Sequence, residues 1–325
     1  MIDVSVIVTV YNNESKINAC LESLVNQTLD NFEIIIIDDG SQDKSGIICK
    51  DYATKYSNIS YYRQENKGVS ISRNEGIKFS RGKYILFCDS DDTYEIEGIG
   101  KLYHCITKKN SDISIGGCSK IINGSESIIF CNDHAGETCH KEKYIVEMTE
   151  NFMINQMWGK IYKKDIILAN DIFLNEDLTL GEDFEWLCRF LKYAKQISSI
   201  NDRVYNYIID SEDSLSQKFS LDYFERIAKT YKSLEQLYIS MGIYEKYKDI
   251  LIDRQINNYW AGMNCINKTN CNLTFKDKIN YIDTCIKSIE YQILLKYKKN
   301  NSNLKLKIMN LKSPLILVFI IYMRR

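Results

Sequence analysis

The first hundred residues alternate between two hydrophobic patterns. Val4–Val10 reads VSVIVTV, a β-branched run of strand length, and residues 14–27 then carry Ile17, Cys20, Leu21, Leu24 and Val25 at helical spacing. The alternation continues with a strand at 33–37 (EIIII), a helix at 43–56, a strand at 59–63, a helix at 69–79 and a strand at 83–88 (KYILFC). Near-continuous apolar strands separated by helices predict a parallel sheet covered on both faces. In such sheets ligands bind beyond the carboxyl ends of the strands. Two of those ends are acidic: the second strand runs into Asp38-Asp39-Gly40-Ser41 and the fourth into Asp89-Ser90-Asp91-Asp92.

After residue 110 the pattern is mixed, with a strand near 113–118, a hairpin partner near 127–131 and a helix near 141–150. Residues 220–300 are dominated by helical spacing, through Leu221, Phe224, Ile227, Ala228, Tyr231, Leu234, Leu237 and Tyr238. The polar stretch after Asp210 marks a boundary. The organisation expected is therefore 1–212 as one α/β domain, divided into halves at 1–100 and 101–212, followed by a mostly helical region at 213–325. A chain of 325 residues has room for both.

Charge changes the picture more than composition does. The 42 basic residues nearly cancel the 43 acidic ones, which argues against a general nucleic-acid binder. The balance is uneven, however: residues 287–325 hold nine basic residues and one acid, Glu290. Such a tail suits an anionic partner such as a membrane surface, or is a solvated lysine-rich end. Leu315–Met323 is a run of nine apolar residues after Pro314. As a helix it would reach about 14 Å against the roughly 30 Å of a hydrocarbon core, so it is too short to span. Residues 302–325 are instead expected to lie in a membrane interface, with Lys305, Lys307, Lys312, Arg324 and Arg325 near lipid phosphates, or to pack as an ordinary terminal element. The eleven cysteines are scattered without CxxC pairs, and Cys131, His134, Cys139 and His140 fit no common zinc spacing. Free thiols and an N-terminus that enters a strand directly point to a reducing cytoplasm, with the protein peripheral to the inner face of the cell membrane.

Several carboxylates crowded at neighbouring strand ends repel one another unless a cation or hydrogen-bond donors intervene. Mg²⁺ or Mn²⁺ relieves such a cluster by taking one or two carboxylates and filling its shell with phosphate oxygens and water. Asp89 and Asp91, two apart around a turn, are of that kind; the plain alternative is that they cap the next element.

At this point the ordered motifs VSVIVTVYNNE (4–14), FEIIIIDDGSQD (32–43), NKGVSISRNEGI (66–77), GKYILFCDSDD (82–92), WGKIYKKDII (158–167) and GEDFEW (181–186) resemble the family-two glycosyltransferases with the GT-A fold, especially bacterial enzymes of capsule, O-antigen and wall-polysaccharide synthesis. The resemblance covers residues 3–210. It implies an inverting, metal-dependent transfer of one hexose or N-acetylhexosamine from a UDP-sugar donor to a glycan or lipid-linked acceptor, with Mn²⁺ or Mg²⁺. It places Tyr11 against the nucleotide base beside Thr9, with Glu14 on the same side, and Asp39 on uracil N3–H. Arg73 falls near the base and diphosphate. Asp91 is then the metal ligand, Asp89 a support for ribose or metal, and Asp92 a turn or sugar contact. Asp183 becomes the base that takes the acceptor proton, Glu182 a sugar contact, and Trp158 an acceptor-side residue or a core one. A loop over 205–218 is implied, but the family's loop histidine is absent: the three histidines are His104, His134 and His140, which leaves Gln217 and Lys218 as candidates for its place.

The competing readings lack their markers. A dinucleotide-binding oxidoreductase needs a GxGxxG turn after the first strand, where this chain has Tyr11-Asn12-Asn13-Glu14. A sugar nucleotidyltransferase would show a glycine-rich, arginine-containing loop there. A silent nucleotide-sugar-binding subunit of an assembly complex is the third alternative, and the Asp39, Asp91 and Asp183 set argues against it.

Overall fold

The computed structural model describes residues 2–122, 124–130, 141–178, 180–209, 219, 221, 223–268, 270–288, 291, 304–309, 311 and 313–323. The chain separates into two compact units, Met1–Asp210 and Ser211–Arg325. The Cys131–His140 cluster and Gln217 and Lys218 lie outside the described residues.

In the first unit the apolar runs become the strands β1 (Val4–Val10), β2 (Phe32–Asp38), β3 (Ile59–Arg63) and β4 (Tyr84–Asp89). The helices α1 (Ile17–Val25), α2 (Ser45–Lys55) and α3 (Val69–Phe79) connect them. β1 is paired in parallel with β2 on one side and β4 on the other, and β3 lies beyond β2. Val4, Val6, Ile7, Val8 and Val10 are all buried, as a strand covered on both faces demands. Each such side chain removed from water contributes about 1.5–3 kcal/mol before the entropy of ordering is subtracted.

The chain leaves β1 in one direction to β3, then crosses back to place β4 on the other flank of β1. That reversal opens a crevice at the carboxyl ends of β1 and β4. The register makes it concrete: Thr9 stands opposite Asp89, and Val10 opposite Asp38.

Beyond β4 the sheet becomes mixed. It continues through β8 (Lys160–Lys163), β6 (Ile113–Ile122), β9 (Ile197–Ile209) and β5 (Thr93–Tyr94), with β7 (Ser125–Phe130) paired to β6. Helices α4 (Gly98–Lys108), α5 (Lys141–Glu150), α6 (Lys164–Ala169) and α7 (Glu182–Tyr193) complete this half. Residues 205–209, expected in a loop, belong to β9. Its alternation of Tyr205, Tyr207 and Ile209 lets it pair with β6 and β5. The helix expected from residue 14 starts at Ile17, because residues 13–16 form a turn in which the Asn13 carbonyl accepts the Lys16 and Ile17 N–H groups. α4 is absent from the periodicity reading, since Gly98 and Gly100 in its first turn weaken the helical signal.

The second unit is helical, with α8 (Tyr223–Ser240), α9 (Tyr244–Asn264), α10 (Phe275–Lys287), α11 (Leu304–Met309) and α12 (Pro314–Tyr322). Its core gathers Ile256, Tyr259, Met263, Ile282, Met309, Leu317, Val318 and Ile321. Among the described residues no helix is long and apolar enough to cross a membrane.

Candidate active site

The first loop of the crevice is stitched down by short polar side chains. Asn12 sits at φ +47°, its N–H donates to Ser41 Oγ (3.1 Å), and its Oδ1 accepts the Gln42 N–H (2.7 Å). Asn13 donates its N–H to Ser45 Oγ (2.8 Å) and its Nδ2 to Ser90 Oγ (2.9 Å), tying this loop to the β4 turn. Between these anchors Tyr11 stands 49% exposed, on the wall of an open cleft of about 490 Å³ lined by Gly40, Gln42, Arg63, Gln64, Glu65 and Asn66. An aromatic ring at the mouth of a polar cleft is what stacking on a base requires. Thr9, half-buried near the end of β1, stands opposite Asp89 in the strand register. Glu14 Oε2 accepts the Lys44 N–H (2.8 Å) and so caps the start of α2.

At the end of β2 the acids are buried and committed. Asp38 accepts from the Ser41 N–H (2.8 Å) and Tyr61 Oη (2.7 Å), which makes it the turn's own staple. Asp39 Oδ1 accepts from Gln64 Nε2 (2.7 Å) and the Lys67 N–H (2.9 Å), and Oδ2 from the Gly68 N–H (2.8 Å). A carboxylate offers roughly four acceptor positions, so Asp39 keeps about one for a ligand while holding the 64–68 loop in place. Gly40, at φ +79°, leaves no room for a side chain: a Cβ would meet the Asn66 nitrogen at 2.9 Å.

The β4 end is built differently. Asp89 and Asp91 are half-buried, whereas Asp92 is sealed. Asp92 accepts from Tyr205 Oη (2.8 Å) and the Ile208 N–H (2.8 Å), and the same tyrosine oxygen accepts the Asp89 N–H (3.2 Å). Burial, with the charges of Asp89 and Asp91 beside it, pushes the Asp92 carboxyl well above its usual range. Of the two places expected of Asp92, turn or sugar contact, the sealed carboxyl takes the turn, which it holds through Tyr205 and the Ile208 N–H. Tyr205 was not legible as a site residue, because nothing in a strand's periodicity marks which hydroxyl will meet a distant loop.

α7 brings the last acids to this turn. Trp186 is fully buried against Phe87 of β4 (5.6 Å between centroids) and Tyr162 of β8 (5.0 Å), and its Nε1 donates to the Ile172 carbonyl (2.9 Å). That anchor fixes the helix start, which Gly181 enters at φ +79°. Glu182 then meets Arg73 from α3: Arg73 Nη1 donates to Glu182 Oε1 (2.9 Å) and Nη2 to Asp89 Oδ1 (2.9 Å). Arg73 is buried, and its neighbouring carboxylates hold it charged. Arg73 thus bridges Glu182 and Asp89, and the three together position the β4 turn against α7. Asp183, next in line, is partly buried, and its Oδ1 accepts the Phe184 N–H (2.9 Å). Burial, then the Glu182 charge, push its carboxyl up to about 7 against the opposing pull of Arg73. A carboxylate poised near neutrality suits proton transfer.

Trp158 is buried, stacked on Tyr205 (4.8 Å, 9°) and near Tyr207 (5.5 Å). It braces the tyrosine that locks the β4 turn, and of its two expected places it takes the core one. Beside it, Lys160 is fully buried and donates to the Gln156 and Trp158 carbonyls, and burial lowers its ammonium to about 8.

Among the described residues no three His, Cys, Asp or Glu side chains are grouped to hold a metal ion. Mg²⁺ and Mn²⁺ are commonly held by one or two carboxylates with substrate phosphates and water completing the shell. Asp91 and Asp89 fit a cation of that kind, one that arrives with a diphosphate.

The Glycosyl transferase family 2 profile matches residues 5–171 of this sequence. The chain belongs to glycosyl transferase family 2. It is 30% identical over 263 residues to glycosyltransferase GlyA of Streptococcus pneumoniae serotype 4, which covers 78% of this chain and 37% of GlyA. It is 32% identical over 215 residues to the cholesterol galactosyltransferase of Borreliella burgdorferi, covering 62% and 59% respectively. The chain thus spans well under two thirds of either relative. Among solved structures, S. aureus TarS 1-349 superimposes with a TM-score of 0.69 at 22% identity, over 99% of this chain and 92% of that one. The fold is GT-A, with a helical C-terminal region.

Proposed function

We propose that this glycosyltransferase moves one hexose or N-acetylhexosamine from a UDP-sugar to a glycan or lipid-linked acceptor in cytoplasmic synthesis of a surface polysaccharide, with inversion and with Mn²⁺ or Mg²⁺. The observation that carries the reading is the Asp89–Arg73–Glu182 bridge, which sets Asp183 beside the β4 turn. The setting agrees with relatives: a TarS structure is a complex with UDP-GlcNAc, and another relative is named a poly(ribitol-phosphate) beta-glucosyltransferase.

Tyr11 stacks on the uracil and Asp39 uses its remaining acceptor position on N3–H. Asp91, with Asp89 behind it, would hold the cation, which when bound neutralises charge on the leaving diphosphate. The acceptor hydroxyl oxygen attacks the anomeric carbon as Asp183 removes its proton. The bond from that carbon to the β-phosphate oxygen breaks, and UDP departs with the electron pair. Attack opposite the leaving group inverts the anomeric centre.

The test is incubation with a panel of UDP-sugars, Mn²⁺ and lipid-linked acceptors, reading UDP release and the anomeric configuration of the product by NMR. Release with an inverted product is expected. A retained configuration would refute the direct displacement, and the absence of both release and nucleotide binding would sink the enzyme reading.

A further inference from the structure

The second unit ends in a helix whose two faces are both apolar, and only one of them is used. On α12, Leu317, Val318 and Ile321 are buried in the helical core, and Asn267 Nδ2 donates to the Ile321 carbonyl (3.0 Å), which holds the helix to the unit. Pro314 opens it and Ser313 Oγ caps the Ile316 N–H, so its ends are defined. Leu315, Ile316 and Phe319 fall on the opposite face at helical spacing and are 47%, 46% and 56% exposed, with Met323 at 79% in the turn that follows. Phe275 of α10 leans edge-on against Phe319 (6.1 Å) and is itself half exposed, as is Leu311. Leu315, Ile316, Phe319 and Phe275 therefore form one outward patch, with Met323 in the turn that follows.

We propose that this patch is an interfacial docking surface for an anionic lipid membrane. Two features select that occupant. An interfacial helix buries one apolar face in the headgroup–acyl boundary while basic residues nearby meet lipid phosphates, and residues 287–325 hold nine basic residues against Glu290 alone. Charge then argues against a second copy of this chain. A self-interface on this patch would bring two such basic segments together, whereas an anionic surface is attracted to each, by about 1 kcal/mol per lysine or arginine near the surface. The inference stands apart from the transferase reading, since vesicle binding and UDP release are separate measurements.

The test is co-sedimentation of the full chain with phosphatidylglycerol-containing and purely phosphatidylcholine vesicles, with oligomeric state followed by light scattering. Binding to anionic vesicles, reduced at high salt, is expected. Ile316→Glu with Phe319→Glu should lower the partition coefficient about tenfold or more. Both positions are exposed, so melting temperature and UDP release from the donor with soluble acceptors stay unchanged. A paired variant, Arg324→Gln with Arg325→Gln, should weaken binding to anionic vesicles more than binding to phosphatidylcholine vesicles. Equal binding to both vesicle types, or full binding by the doubly acidic variant, would overturn the proposal. A stable dimer that dissociates in that variant would overturn it too, in favour of a self-interface.

Discussion

The ends of β2 and β4 look alike in sequence, each a strand running into consecutive acids, yet the fold uses them in opposite ways. At β2, Asp38 and Asp39 are almost saturated by their own loop, through Ser41, Tyr61, Gln64, Lys67 and Gly68. At β4 one acid, Asp92, is sealed by Tyr205 and the Ile208 N–H, while Asp89 and Asp91 stay at the crevice. An acidic motif therefore divides according to which of its carboxyls the fold buries: Asp38, Asp39 and Asp92 are sealed, whereas Asp89 and Asp91 are half-buried. The β2 end makes a rigid rim on which Asp39 keeps about one acceptor position; the β4 end, held by Tyr205, keeps Asp89 and Asp91 half-buried.

The largest effect expected on this division comes from Asp183. Asp183→Asn should lower turnover by about 10²–10⁴-fold, the range of general-base contributions, and leave UDP binding intact by calorimetry. A matching pH dependence follows from a base held near 7. The base works when ionised, so kcat/KM should climb tenfold per pH unit below about 7 and level off above it. A flat profile between pH 5 and 8 would remove Asp183 from that role. The stability sign is the reverse. A carboxyl raised in the folded state costs stability once it must ionise, a cost complete above pH 7 and fading as pH falls toward the ordinary carboxylate range. Asp183→Asn should thus melt higher than the parent at pH 8, with the gap closing toward pH 5.

Next in size is the bridge. Arg73→Met strands Glu182 beside Asp89; losing one partner of a buried pair costs about 3–5 kcal/mol, and less here because Asp89 is a third exposed. The expected result is a strong fall in melting temperature with loss of activity, and an unchanged melt would show that the bridge holds nothing. At the β4 rim, Asp91→Ala should weaken metal-dependent UDP binding while leaving the melt alone, whereas Asp39→Ala should lower both. If the two variants behaved identically, the contrast between the strand ends would fail. The smallest effect belongs to Tyr205→Phe. It removes the hydroxyl shared by Asp92 and the Asp89 N–H, costing about 1–3 kcal/mol. KM for the donor should rise more than kcat falls.

Most of the parallel half was legible because burial on both faces of a strand leaves a plain mark, a run such as VSVIVTV or EIIII. The candidate acids were legible for a related reason: carboxylates at the ends of such runs are expensive without a purpose. What the sequence concealed was allegiance. Asp92 and Asp91 are adjacent and chemically equal, and only the arrival of Tyr205 from a strand more than a hundred residues away decides that one is buried and the other is not. Glu14 reads as part of a nucleotide motif, and nothing in its sequence context shows that its carboxylate also caps α2 through the Lys44 N–H. Trp158 and Trp186 carry the same weak signal, an aromatic beside a motif, and both turn out to brace functional side chains from the core. α4 was hidden by its own glycines, and β9 by a polar middle, Asn201-Asp202-Arg203, that interrupts its alternation.

The most direct measurement pairs the parent chain with Asp183→Asn in one assay of UDP release, supplied with Mn²⁺, a UDP-sugar panel and a lipid-linked acceptor, with UDP affinity measured alongside. The parent should release UDP from at least one donor, and the variant should bind UDP equally well yet release it only at the background rate. Full-rate release by the variant, with its fold and UDP affinity unaltered, would contradict the assignment of Asp183 as the base on which the mechanism rests.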